Sequence, residues 1–168
     1  MLPAYVTQRL SLRPRSLDDL EDCLAMDGDA TVMRHVGGPW SDADAYREHL
    51  RRRIATVWPA GLGCWSIDTG PASGRFVGWV ALVPHGDDPT LVEIGWRLRR
   101  DAWGSGYATE AAAAIVHHGF AAARLPRIIA DIHPDNAPSV GVASRIGFRF
   151  AGPALYGGEP CLRYIRNR

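Results

Sequence analysis

Residues 99–109 read Arg-Arg-Asp-Ala-Trp-Gly-Ser-Gly-Tyr-Ala-Thr, and this stretch decides the fold. Before it, apolar residues alternate with polar or small ones over residues 92–98, which is the period of a β-strand. After it, apolar residues recur at helical spacing from Ala108 to Ala123. The stretch therefore predicts a strand, a glycine turn and the first turn of a long helix.

This predicted turn has the chemistry of a phosphate-binding loop. The N-terminus of a helix presents unpaired backbone N–H groups and a partial positive charge, and both favour an anion. Gly104 and Gly106 carry no side chains that would keep such a ligand away. A tight strand-to-helix turn needs the same two glycines, so the pattern by itself leaves both interpretations open.

Two classes of phosphate-binding protein can be weighed against the same residues. A P-loop requires Gly-Lys-Ser or Gly-Lys-Thr, and the chain has no lysine, since all 19 of its basic residues are arginine. This argues against a P-loop NTPase. A dinucleotide-binding turn requires a third Gly or Ala where Thr109 stands, although Asp131 lies at a suitable distance downstream. A dinucleotide-binding protein stays a rival hypothesis.

Length and composition narrow the class of protein. A chain of 168 residues predicts a single domain, residues 1–168, and a net charge of +1 predicts neither a nucleic-acid nor a membrane partner. The three cysteines are far apart and the six histidines show no ligand spacing, so no disulfide framework and no metal site is expected. No leader or membrane span is recognised, which predicts a cytoplasmic protein.

The order of predicted elements is β-α-α-β-β-β-α-β-α-β-β, a mixed α/β sheet covered by helices. An antiparallel meander precedes the glycine turn, and the strand, helix and strand around the turn predict a parallel crossover. The predicted strands are residues 7–13, 64–68, 76–82, 91–98, 127–132, 148–151 and 161–165.

Two helices are predicted before the meander, with Ser16 and Ser41 as their N-caps. Trp40 and Trp58 flank the second helix and either line an apolar pocket or belong to the core. Arg47 and residues 51–53 lie mostly on its polar face. Such a cluster could face an acidic substrate or RNA, but it is typical of a solvated surface.

Three sequence motifs resemble the GNAT superfamily of N-acetyltransferases. Residues 103–108, Trp-Gly-Ser-Gly-Tyr-Ala, are similar to its acetyl-CoA signature Gln/Arg-x-x-Gly-x-Gly/Ala, with Trp103 in the first place. Tryptophan there is typical of the Rim-type branch, the ribosomal-protein N-terminal acetyltransferases and their relatives. Residues 136–139 with residues 146–148, and residues 92–96, resemble two further family elements.

The resemblance implies a twisted, mostly antiparallel sheet with acetyl-CoA as cosubstrate and no metal. The coenzyme diphosphate would bind at the glycine turn, and the pantetheine arm would run beside the preceding strand and reach Asn136. The residues expected to bind the coenzyme are Trp96, Arg97, Leu98, Trp103, Gly104, Ser105, Gly106, Tyr107, Ala108, Thr109 and Asn136.

The resemblance also implies direct acetyl transfer to an amine in a ternary complex. Glu93 is the candidate general base and Glu159 the second choice. The family tyrosine that protonates the leaving thiolate is replaced by Ala143, so the resemblance transfers that role to Ser139. The acceptor would be a small amine or a protein N-terminus, and the enzyme a monomer or homodimer. The absent tyrosine leaves open a catalytically silent acyl-CoA sensor or scaffold.

Overall fold

The computed structural model describes residues 2–36, 42–70 and 74–168. Its strands are β1 (Tyr5–Val6), β2 (Leu10–Pro14), β3 (Gly63–Thr69), β4 (Phe76–Pro84), β5 (Val92–Leu98), β6 (Arg127–Ile132), β7 (Arg149–Tyr156) and β8 (Glu159–Asn167). Its α-helices are α1 (Leu20–Asp27), α2 (Ala30–Met33), α3 (Ala43–Ile54), α4 (Tyr107–Ala121) and α5 (Ala137–Arg145). Within those ranges, no helix is long and apolar enough to cross a bilayer.

All eight strands form one sheet in the order β1-β2-β3-β4-β5-β6-β8-β7. Neighbouring strands are antiparallel except β5 and β6, which run parallel and are joined through α4. The predicted mixed sheet with its meander and parallel crossover is therefore confirmed.

The parallel pair meets at one point only. Glu93 of β5 lies opposite Ile129 of β6, and the described residues hold no other register pair between these strands. Meanwhile β5 stays paired with β4 along its whole length, from Val92 to Leu98. The second half of β5 therefore has an edge that β6 does not cover.

Different helices pack against the two faces of the sheet. Ile94 and Leu98 of β5 belong to the main core, which includes Ile115 and Val116 of α4. Because side chains alternate along a strand, Glu93, Gly95 and Arg97 point to the opposite face. That face, called here the α1/α3 face, has a second cluster built on those two helices, with Met26, Leu50, Ile54 and Phe76 among its members.

Several predicted boundaries differ from the structure. The predicted first strand is interrupted at residues 7–9, where the Thr7 N–H donates to the Leu10 carbonyl at 2.9 Å and closes a turn. Ser16 caps a 3-10 turn leading into α1, as predicted for a helix start. The predicted cap Ser41 lies outside the described residues, and Asp42 caps α3 through the N–H groups of Asp44 and Ala45.

Candidate active site

The glycine turn before α4 is open and takes a backbone conformation suited to glycine. Gly104 and Gly106 have φ of +75° and +80°, and residues 104–106 are exposed. Gly106 is the N-cap of α4, and its carbonyl accepts the N–H of Glu110 at 3.1 Å. The N–H groups of the first turn, from Tyr107 to Thr109, lie before that bond and are the ones a helix leaves unpaired. A helix end of this kind is suited to an anion.

Arg9 braces this turn, a role that the sequence analysis missed. Its Nη1 donates to the Ser105 carbonyl at 2.8 Å, and its Nε lies 2.7 Å from Glu110 Oε2. Its guanidinium also lies over the Tyr107 ring, 4.9 Å from the centroid. Nearly a hundred residues separate Arg9 from the turn, so no local pattern could have indicated the contact.

Trp103 ties the turn to the end of β5. Its Nε1 donates to the Leu98 carbonyl at 2.9 Å, which gives the tryptophan of the signature a structural role. Arg97, expected to bind the cofactor, sends its side chain to the α1/α3 face instead. There its Nη1 lies 2.8 Å from Asp27 Oδ1. The Arg99 N–H donates to the Val77 carbonyl, and this register turns the backbone groups of Arg97 towards β4 and those of Trp96 and Leu98 towards the opening between β5 and β6.

Glu93 lies at the point where strands β5 and β6 separate. Burial raises the pKa of its carboxyl to about 7, and the negative charge of Asp131 acts in the same direction. The backbone of Asp131 and the cations Arg163 and Arg53 oppose that rise in pKa. A carboxyl that titrates near neutrality is suited to general-base work. Glu159, the second choice, is exposed at the start of β8.

Beside Glu93 lies a buried polar network centred on Asp131. Both Asp131 oxygens accept from Arg163, at 2.8 and 2.6 Å, and Oδ2 lies 3.0 Å from His85 Nε2. The side chain of Asp131 is 1% exposed, so it is not free to bind a ribose hydroxyl. This finding weakens the dinucleotide hypothesis, because in dinucleotide-binding folds an acidic residue at about this distance from the turn binds the ribose.

His85 also fastens the loop after β4 to the last hairpin. Its Nδ1 accepts the backbone N–H groups of Asp87 and Asp88 at 3.3 and 3.2 Å, so the ring proton lies on Nε2, facing Asp131. The Tyr156 ring meets the imidazole edge-on, with centroids 5.0 Å apart. The network therefore holds three segments around Glu93.

Asn136 and Ser139 lie at the start of α5. Asn136 is the N-cap, and its Oδ1 accepts the N–H of Ser139 at 3.2 Å. The side chain of Asn136 thus has a structural role, with its amide NH₂ left to bind elsewhere. Ser139 is partly buried in the first turn of the helix.

The acetyltransferase (GNAT) domain family matches residues 9–149 of the chain. Among individual relatives, the uncharacterized protein YkkB of Bacillus subtilis is 30% identical over 166 residues, which cover 96% of this chain and 94% of the relative. FsC-acetyl coenzyme A-N(2)-transacetylase of Aspergillus fumigatus is 31% identical over 154 residues, covering 86% of this chain and 64% of that enzyme.

Solved structures share the fold over the whole chain. An acetyltransferase from Agrobacterium tumefaciens superposes with a TM-score of 0.84 and 29% identity, covering 100% of this chain and 96% of that one. RimL, a ribosomal L7/L12 alpha-N-protein acetyltransferase in complex with coenzyme A, superposes with a TM-score of 0.75 and 16% identity, covering 98% of each chain. At that identity the likeness to RimL shows the fold alone.

Proposed function

Because the chain belongs to the GNAT acetyltransferase family, we propose that it moves an acetyl group from acetyl-CoA to a primary amine in a ternary complex. The observation that carries the proposal is the parting of β5 and β6. It leaves an open strand edge that runs from Glu93 to the glycine turn. One edge thus joins a candidate base to a candidate diphosphate site.

The residues present fit acetyl-CoA. The N–H groups of residues 104–109 would bind the diphosphate, because they surround an exposed helix N-terminus without side chains at Gly104 and Gly106. The backbone groups of Trp96 and the N–H of Leu98 would bind the pantetheine arm as a neighbouring strand does, while the Leu98 carbonyl already accepts from Trp103. The Asn136 amide would reach the same arm. The cosubstrate supplies an activated thioester.

Glu93 would accept the proton of the attacking amine, directly or through one water molecule. A base whose pKa is about 7 can do this near neutral pH while the amine attacks the thioester carbon. A backbone N–H of β5 beyond Glu93 would polarise the carbonyl. The carbon–sulfur bond then breaks, and Ser139 is the candidate donor of a proton to the thiolate. The reaction needs no covalent enzyme intermediate.

Trp103 in the signature supports placement near the Rim-type branch. The names of two similar proteins carry different acceptors, FsC with transfer to an N(2) position in one and ribosomal L7/L12 in RimL. We therefore propose a primary amine acceptor, small or at a protein N-terminus, in a cytoplasmic enzyme.

Release of free thiol from acetyl-CoA, measured against a panel of primary amines, tests the proposed function. Mass spectrometry of the products identifies the acetylated amine. Turnover that requires Glu93 supports acetyl transfer. Saturable binding of acetyl-CoA without turnover of any amine would favour a silent acyl-CoA sensor instead.

A further inference from the structure

A pocket separate from the opening between β5 and β6 lies on the α1/α3 face, between the end of β2, the segment after α3 and the start of β3. Its volume is about 330 Å³. Ile54 and Trp58 contribute apolar walls, and Arg15 and Cys64 also line it. The pocket thus combines apolar surface with one cation.

Arg15 is the exceptional group in this pocket. Its Nε is buried and has no hydrogen-bond partner among the described residues, and no carboxylate there lies within ion-pair distance. By contrast, Arg13 pairs with both Asp19 and Asp68. Leaving a buried guanidinium N–H unbonded is costly, so the site favours an incoming acceptor oxygen.

Arg15 is held in place without a carboxylate. Its guanidinium lies over the Trp79 ring, 5.6 Å from the centroid. Arg97 lies over the same ring at 5.1 Å and also has an unbonded Nε, but Asp27 neutralises its charge. Of these two arginines, Arg15 is therefore the one whose charge is available to a ligand.

A row of small residues runs from this pocket to Gly95 of β5, which lies two residues beyond Glu93 on the same face of the strand. Cys64 of β3 lies opposite Ala81 of β4, which lies opposite Gly95 of β5. A Cβ at Gly95 would meet only the edge of Trp79, at 4.0 Å, so the space above it is open. With strands about 4.8 Å apart, Gly95 and Cys64 are separated by roughly 10 Å.

A second arginine acts on the same end of this row. Burial raises the pKa of the Cys64 thiol, and the positive charges of Arg15 and Arg53 both oppose that rise. Arg53 is exposed on the last turn of α3, and its charge also acts on Glu93. Two positive charges, those of Arg15 and Arg53, therefore act on the Cys64 end of the row.

We propose that this pocket binds the far end of the amine acceptor, and that this end carries a carboxylate held by Arg15 with support from Arg53. The inference rests on the proposed function and names its substrate class. The acceptor is an extended molecule whose carboxylate lies roughly 10 Å from its amino nitrogen, the span of the Cys64–Gly95 row. Derivatives of amino acids with a free amine at the other end fit this description.

Matched acceptors test the proposal. Straight-chain ω-amino acids of four, six and eight carbons are compared with primary alkylamines of the same length, by thiol release and by calorimetric titration in the presence of coenzyme A. We expect the longer amino acids to show higher kcat/KM than their alkylamines. R15Q should lower that preference about ten- to a hundredfold, mainly through KM, and leave alkylamine turnover unchanged.

Two further variants keep the test decisive. R53Q, on an exposed residue whose loss does not threaten folding, should weaken the same preference by a smaller factor. R51Q, an exposed arginine on the same helix, is the matched control and should change nothing. Equal use of amino acids and alkylamines, unaltered by R15Q and R53Q, would overturn the inference while leaving acetyl transfer intact. If no amine is acetylated, the proposed function fails, and titration of the amino acids into the wild type and R15Q still decides whether the pocket binds a carboxylate.

Discussion

Glu93 of β5 faces Ile129 of β6 in the one register pair that joins these strands within the described residues. The pair fixes the point at which β5 and β6 separate. From there to Leu98, β5 is paired only with β4. The candidate base Glu93 therefore lies where the two strands separate, and the glycine turn lies beyond the C-terminal end of β5.

Replacing Glu93 by glutamine should lower kcat by about 10²- to 10⁴-fold while leaving acetyl-CoA affinity unchanged, because the variant loses only a proton acceptor. In the wild type, activity should be present above the pKa of about 7 and be lost as the pH falls through it. Steady-state rates from pH 5 to 9 measure this. E159Q, on the exposed second candidate, is the control and should match the wild type.

Asp131→Asn should move the acidic limb of the pH–rate profile to lower pH. The substitution removes a negative charge that raises the pKa of Glu93 and leaves Arg163 to lower it. The profile should be measured beside a thermal unfolding curve, because Asp131 is buried. An unshifted profile in a folded variant would contradict a role for Asp131 in setting the pKa of Glu93. D101N removes an exposed carboxylate and should not shift the profile.

Arg9→Gln should raise the Kd for acetyl-CoA about three- to tenfold, because the Ser105 carbonyl and Glu110 lose the cation that braces the turn. Equilibrium titration measures the change. Arg47 of α3 forms an exposed ion pair with Glu21 of α1, so R47Q is the matched control. A Kd equal to that of the wild type in R9Q would refute the brace.

Two roles of Asn136, the helix cap and the proposed contact with the pantetheine arm, can be tested separately. Asn136→Ala should cost about 1 kcal/mol of unfolding free energy, because the Ser139 N–H loses its acceptor. Asn136→Asp keeps that acceptor and should keep the stability, yet it loses the amide NH₂ and should bind acetyl-CoA more weakly. Wild-type affinity in N136D would leave Asn136 as a cap alone.

Much of the fold could be predicted because its signals are local. Residues 99–109 specify strand, turn and helix through alternation, glycine and helical period, and residues 127–132 match β6 at both ends. The predicted ends of strands were wrong where backbone hydrogen bonds set the observed ends. Thr7 closes a turn inside the predicted first strand, and β7 extends to Tyr156 because β8 pairs with it.

The site was less predictable because its contacts cross long stretches of chain. Arg9 reaches Ser105, and His85 reaches Asp131, through the sheet order and not through sequence spacing. The partner of the Arg97 side chain could not be predicted for the same reason. Strand alternation places it on the α1/α3 face, where Asp27 of α1 holds it.

Calorimetric titration of acetyl-CoA into the wild type and Gly106→Glu tests the central claim most directly. Gly158→Glu is the matched control, because Gly158 has φ of +83° and nothing within 4 Å of an added Cβ. We expect saturable binding to the wild type and to G158E, and none to G106E, since a carboxylate at position 106 would repel the diphosphate from the N–H groups of α4. Wild-type affinity in a folded G106E would contradict this expectation.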